Sequence, residues 1–305
     1  MRGLDIHAGI WLALERAGIV SAANVGTSAG AMVSACDSAG WTAEMFCDYL
    51  RILKDSDVRR DRFAWQMRVL FMESFLSNAP IRQVLTGILP ATFAELRKPL
   101  TVWAVLEATA TPWGFSSGPL VNAVMASAAI SGVFPSITDD QGRSFCDGGT
   151  AKYLPVPADL SDRTDGTPRN AGQAAGDTES GFDEIWLLIA DPPQEYSDRG
   201  GNVISRLLRN VDWMQDGQIY DAIALAQEQA DDWERGPEGL GQETKRMTVH
   251  VVRPKVDPTG SSLHFDHRLI EAARKETERI LSTDYTEAPE KMMAIEGTKK
   301  TGAES

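Results

Sequence analysis

Only twenty-five residues precede the feature that most constrains this chain, the stretch Gly26-Thr27-Ser28-Ala29-Gly30. A β-branched, apolar run (Ile19 to Val25) leads into it, and a run of small residues leads away to about Gly40. The pattern reads strand, sharp turn, helix, and a strand that feeds directly into a helix argues a layered α/β fold. A serine on such an elbow stands exposed, with its backbone close to its neighbours. On this reading side chains at Gly26 and Gly30 would crowd the turn. The helix that follows aims its free N–H groups at the serine, where they favour negative charge developing on an attacked carbonyl oxygen. The plainer alternative is a glycine-rich turn needed only for close helix–strand packing.

The remaining pattern alternates in the same way. Helical spacing over 6–17 ends at Gly18, a C′ stop. A helix is expected over 43–53 with Thr42 as cap, and another from Asn78, its cap, to about Leu89. Leu100 to Thr109 reads as a strand, Pro119 to Ser131 as a small-residue helix, and 137–146 as a hairpin turning at Asp139-Asp140-Gln141-Gly142. Further strands are expected at 185–190 and 247–252, one or two helices within 203–233, and an amphipathic last helix over 269–281. Residues 161–181 are almost free of hydrophobes and read as a flexible insertion, and the tail 284–305 as disordered.

Lys plus Arg number 30 against 43 Asp plus Glu, a net charge of −13. That field opposes phosphate backbones, so no nucleic-acid partner is expected. Cys36, Cys47 and Cys146 lack metal-type spacing and read as buried free thiols in a reducing compartment. No metal or cofactor is expected, because no His/Cys/Asp/Glu cluster has ligand spacing. No long apolar run and no signal-peptide pattern is visible, so the expected location is cytoplasmic. One stretch departs from the acidic background. Residues 51–75 interleave Arg and Lys with Phe63, Trp65, Phe71 and Phe75. They read either as a core helix with a basic solvated face or as a membrane-facing flap.

A serine nucleophile needs a base. His7 lies on the first helix, His250 within a strand, and His264 and His267 beside the last helix, so each reads as structural or exposed. Too few residues precede Ser28 for the several strands that lead to an α/β-hydrolase elbow. Asp147, in Phe145-Cys146-Asp147-Gly148-Gly149, ends a strand and opens a glycine turn. A carboxylate there can take the hydroxyl proton of a serine held within about 2.6–3.2 Å. An ordinary Asx turn explains the same residues.

Three ordered blocks carry a resemblance. They are Gly26-Thr27-Ser28-Ala29-Gly30, then Ala126-Ser127-Ala128-Ala129-Ile130-Ser131-Gly132-Val133-Phe134-Pro135, then Asp147-Gly148-Gly149 with Tyr153-Leu154-Pro155-Val156 behind it. Together with the opening Arg2-Gly3-Leu4, they resemble the patatin-like phospholipase family, most strongly over 1–40 and 118–158. The resemblance implies a three-layer α/β/α fold with a mixed, mostly parallel central sheet, here spanning 1–283. It implies a Ser28–Asp147 dyad without histidine, an acyl-enzyme, and lipid ester substrates met in transient contact with a membrane surface. The family's pattern also holds a Gly-Gly-Gly-x-Arg-Gly loop whose N–H groups form the oxyanion hole. Here only Arg2-Gly3 match it, and the preceding glycines and first strand are absent. The expectation is therefore a chain truncated at the front, with the N–H groups of Ala29 and Gly3 as remaining donors. That departure keeps open a non-catalytic lipid- or protein-binding role. A further alternative is acyl transfer to an acceptor other than water.

Overall fold

The computed structural model describes residues 2–58, 74, 76–151, 154–155, 184–190, 217–228, 248–257 and 264–283. The insertion at 161–181, the tail, most of the basic aromatic stretch, Tyr153 and Val156 lie outside the described residues.

Helix α1 (Arg2–Arg16) is buried on two faces because its apolar residues fall on two i, i+4 rows. Leu4, Ala8 and Leu12 enter the main core. Ile6, Ile10 and Leu14 enter a second cluster with Val252, Val256 and Leu269. The helix ends as expected. Gly18 takes φ +79°, its N–H bonds to Glu15, and the Ile19 N–H reaches back 2.9 Å to the Leu14 carbonyl.

Strand β1 (Asn24–Thr27) is shorter than the expected 19–25 strand. The preceding residues border an open cavity, and Val20 is 68% exposed there. Helix α2 (Ala29–Ser38) follows the turn, and α3 (Ala43–Ile52) starts at Thr42, whose hydroxyl accepts from the Met45 N–H at 3.2 Å. After α4 (Asp55–Val58) comes α5 (Ala79–Ile88). Asn78 precedes α5 but does not cap it with its side chain. Its amide instead donates to the Pro135 carbonyl at 2.8 Å and ties the helix start to the loop after α6 (Leu120–Ser127).

Strand β2 (Leu100–Leu106) organises the main sheet. It forms a hairpin with β3 (Thr111–Phe115), which pairs with Val102–Leu106. Its other edge is divided between two strands. β1 runs parallel to residues 100–103, and β5 (Ser144–Asp147) runs antiparallel to residues 104–106. β4 (Ile137–Thr138) joins β5 through the expected hairpin. The sheet is therefore mixed. Parallel pairings occur between β1 and β2 and between β6 (Glu184–Leu188) and β7 (Thr248–Val252). Two hairpins, β2–β3 and β4–β5, supply part of the antiparallel share, because sequential strands joined by tight turns must reverse direction, and the long-range pairing of β2 with β5 supplies the rest. β6 and β7 form a separate two-stranded sheet. Residues 217–228 are helical (α7), and α8 (Arg268–Ser282) packs on α1. The crossing is close enough that a Cβ at Gly9 would stand 2.3 Å from the Ile270 carbonyl oxygen.

Candidate active site

The divided edge of β2 brings two chain ends together. Thr27, the last residue of β1, pairs with Trp103, and Asp147, the last residue of β5, pairs with Ala104. The two strands arrive from opposite directions on adjacent rungs, so Ser28 and Asp147 meet head-on. The Ser28 hydroxyl donates to Asp147 Oδ2 at 2.7 Å.

Each partner is held in place by backbone geometry. Ser28 sits at φ 53°, ψ −121°, a conformation that costs an L residue about 1–3 kcal/mol. Its carbonyl accepts the N–H groups of Ala31 and Met32 at 3.0 and 3.3 Å, and its own N–H donates to Ser127 Oγ at 2.8 Å. Asp147 is 6% exposed. Its Oδ1 accepts the Gly149 N–H at 2.7 Å, and its own N–H donates to the Ala129 carbonyl at 2.9 Å. Burial pushes its carboxyl up to about 6, while the hydrogen bonds from Ser28 and Gly149 pull the other way.

The glycines of the two motifs have different reasons. A Cβ on Gly26 would lie 2.6 Å from Ala31 Cα, so the elbow closes only with glycine there. A Cβ on Gly148 would lie 2.3 Å from the Trp103 carbonyl oxygen. Gly30 differs from expectation. A Cβ there would meet only the His7 ring, Nε2 at an ordinary 3.5 Å and Cε1 at 3.8 Å, because Gly30 points away from the strand and toward α1.

A cavity of about 1300 Å³ opens beside the pair, with Ser28, Asp147 and Gly149 in its wall. Every residue of 18–30 and of 184–190 lines it, rather than every second residue, so β1 and β6 face it with their edges and not their faces. Arg2, Gly3 and His7 of α1 form another wall. Gly3 adjoins the start of α2, since a Cβ on it would stand 3.1 Å from Ala29 Cβ. In the first turn of α2 the N–H groups of Ala31 and Met32 go to the Ser28 carbonyl, and those of Ala29 and Gly30 have no acceptor one turn earlier in the helix.

None of the four histidines bonds to Ser28. His264 Nδ1 pairs with Asp55 at 2.5 Å, and His267 Nδ1 with the buried Asp5 at 3.0 Å. The His250 ring stacks on Trp186 at 4.0 Å. His7 reaches the cavity wall, and burial pushes its imidazole down to about 4, so it is neutral near pH 7. Cys36, Cys47 and Cys146 are free and buried. Among the described residues no group of three His, Cys, Asp or Glu is arranged to hold a metal ion, and no helix is long and apolar enough to cross a membrane.

A serine on a strand–turn–helix elbow beside a carboxylate places the protein with the elbow-bearing α/β proteins as a class. The particular family follows from comparison. A family model described as patatin-like phospholipase matches residues 6–160, and the chain belongs to that family. No curated protein matches the chain. Among solved structures, the crystal structure of VipD from Legionella pneumophila resembles it with a TM-score of 0.37 at 12% identity. That match covers 92% of this chain, which spans 65% of the VipD chain.

Proposed function

We propose that this protein cleaves carboxylic esters of long-chain lipids, of the phospholipase A or lysophospholipase type, with Ser28 as nucleophile and Asp147 as general base. The observation that carries the proposal is the 2.7 Å hydrogen bond from the Ser28 hydroxyl to a buried carboxylate at the wall of a large cavity. Asp147 Oδ2 takes the hydroxyl proton as Ser28 Oγ forms a bond to the ester carbonyl carbon. The tetrahedral oxyanion falls to the N–H groups at the start of α2, beginning with Ala29, and to Gly3 beside it. As the carbonyl re-forms, the ester C–O bond breaks and Asp147 returns its proton to the leaving alcohol. Water, deprotonated by the same carboxylate, then attacks the acyl carbon; the bond from that carbon to Ser28 Oγ breaks, Asp147 returns the proton to Oγ, and the fatty acid leaves. A carboxyl pushed up to about 6 is a stronger base than an ordinary aspartate and is still mostly ionised at neutral pH.

The test is labelling by a fluorophosphonate probe together with hydrolysis of a p-nitrophenyl ester. The wild-type chain labels at Ser28, and Ser28→Ala and Asp147→Asn each abolish turnover. Full activity in Asp147→Asn removes the dyad.

The open cavity favours one second reading, a protein that binds lipid or a protein partner there without turnover. An intact chain that binds lipid vesicles, resists the fluorophosphonate and hydrolyses no ester would establish it. Transfer of the acyl group to glycerol or a lysolipid is separated from hydrolysis by product analysis with added acceptor.

A further inference from the structure

We propose that Ser127 is a positioning residue that fixes the nucleophile against its base. The proposal rests on the reading of Ser28 as nucleophile and assigns to it a device that acts through the backbone.

Ser127 is the last residue of α6 and is completely buried. Its neighbours Ala126, Ala128 and Ala129 are small and apolar, so its hydroxyl has no solvent to bond with. That hydroxyl makes two bonds. It donates to the Trp103 carbonyl at 2.6 Å and accepts the Ser28 N–H at 2.8 Å. The first bond fixes the second. With the hydroxyl proton committed to Trp103, a lone pair is left to face Ser28. Trp103 is also the residue at which β1 stops, one rung before β5 begins. Ser127 thus ties the strained Ser28 backbone to the rung where the two strands meet.

The same turn of chain holds the other partner. Two residues on, the Ala129 carbonyl accepts the Asp147 N–H at 2.9 Å. The end of α6 therefore grips the nucleophile through a side chain and the base through a carbonyl. Their relative position depends on one short segment rather than on two loops. Only a hydroxyl can accept from an N–H and donate to a carbonyl in that space. Alanine removes this hydrogen bond from each of the two groups, the Ser28 N–H and the Trp103 carbonyl. Cysteine keeps the approximate shape, with a weak donor and a weak acceptor.

Released from this bond, the Ser28 backbone relaxes away from its strained angles and its hydroxyl moves off Asp147. Chemistry then slows while substrate binding does not change, because Ser127 touches no substrate. The carboxyl also loses the hydrogen bond that pulls it downward, so it titrates at higher pH.

The experiment measures p-nitrophenyl butyrate hydrolysis and fluorophosphonate labelling in the full chain for wild type, Ser127→Ala, Ser127→Cys and Ser127→Thr. In Ser127→Ala, kcat and the labelling rate fall by about 10²-fold. KM stays within a few-fold, and the acid limb of kcat/KM moves to higher pH. Ser127→Thr, which keeps the hydroxyl, recovers the wild-type acid limb. Ser127→Cys lies between, and it carries the test if the alanine variant does not fold. Wild-type kcat and an unmoved acid limb in either Ser127→Ala or Ser127→Cys overturn the proposal. So does a loss that appears only in thermal stability. A wild-type chain that neither labels nor hydrolyses overturns the nucleophile reading instead, so the two failures are distinguishable.

Discussion

Thr27 and Asp147 occupy adjacent rungs on one edge of β2, paired with Trp103 and Ala104 and reached from opposite strand directions. This head-on arrangement lets a residue just past one strand end meet the last residue of another with no intervening loop. It also buries the carboxylate, and the burial sets the pH behaviour.

Activity and stability should move in opposite directions through the same pH window. Asp147 acts as a base only when ionised, so kcat/KM should rise with pH through about 6. Stability changes in the other direction. The folded-state value lies above the ordinary 3.8, so the folded protein holds the proton more tightly than the unfolded chain. That contribution is complete below about pH 4 and is lost as pH rises through about 6, a loss of about 3 kcal/mol. Asp147→Asn removes the titration. Thermal unfolding should show it as stable as wild type near pH 4 and more stable at pH 8, while turnover is absent. A variant less stable than wild type at pH 8 contradicts the assignment.

The glycines should separate by their contacts. Gly148→Ala drives a Cβ into the Trp103 carbonyl, which is backbone and cannot swing aside. It should cost about 1–3 kcal/mol and most of the activity. Gly26→Ala should behave alike against the Ala31 backbone. Gly30→Ala, with only His7 at ordinary contact distance, should fold at wild-type stability or slightly above, because alanine suits the first turn of α2 better than glycine. Chemical denaturation of the three variants orders them. Equal destabilisation at position 30 would show that the motif is needed for a reason other than space.

Much of the site was legible in sequence, and the exceptions have physical reasons. Ser28 and Asp147 each stand where a strand stops at a glycine turn, so strand pattern and turn chemistry mark both. Their meeting was not legible from pattern alone, because it depends on β1 and β5 sharing one edge of β2. That is a matter of register between segments about 120 residues apart, which periodicity does not encode. The expected strand starts earlier than β1 because β-branched composition at Ile19 and Val20 suits a strand, whereas these residues flank an open cavity and pair with no strand among the described residues. Ser127 carries a signal of its own. A lone hydroxyl among alanines at a helix end, in a segment otherwise patterned for burial, must find partners inside the protein.

Histidine variants test the dyad from the other side. His250→Ala removes a ring stacked on Trp186 and should cost about 0.5–1.5 kcal/mol of stability while leaving kcat within a few-fold. His264→Ala and His267→Ala release Asp55 and the buried Asp5 and should loosen the start of α8, again with little change in kcat at a temperature where the fold persists. A turnover loss of 10²-fold or more in any of them, without unfolding, would require a histidine in the reaction path.

The cavity between β1 and β6 yields the last prediction. Among the described residues β1 pairs with β2 alone and β6 with β7 alone, and the facing edges line one cavity whose wall includes the start of α1. An extended segment placed there would hydrogen-bond to both edges, and its end would lie beside Gly3 and Ala29. A chain lengthened ahead of Met1 by a strand of about six residues and a triple glycine should therefore fold more stably. Extra backbone N–H groups at the oxyanion position should also raise kcat by roughly 10²-fold. A control of equal length with proline at alternate strand positions cannot donate to the ladder and should gain neither. If the pairing-competent extension raises turnover no more than the proline control does, the donors at the start of α2 and at Gly3 are sufficient by themselves, and the cavity serves the substrate rather than the sheet.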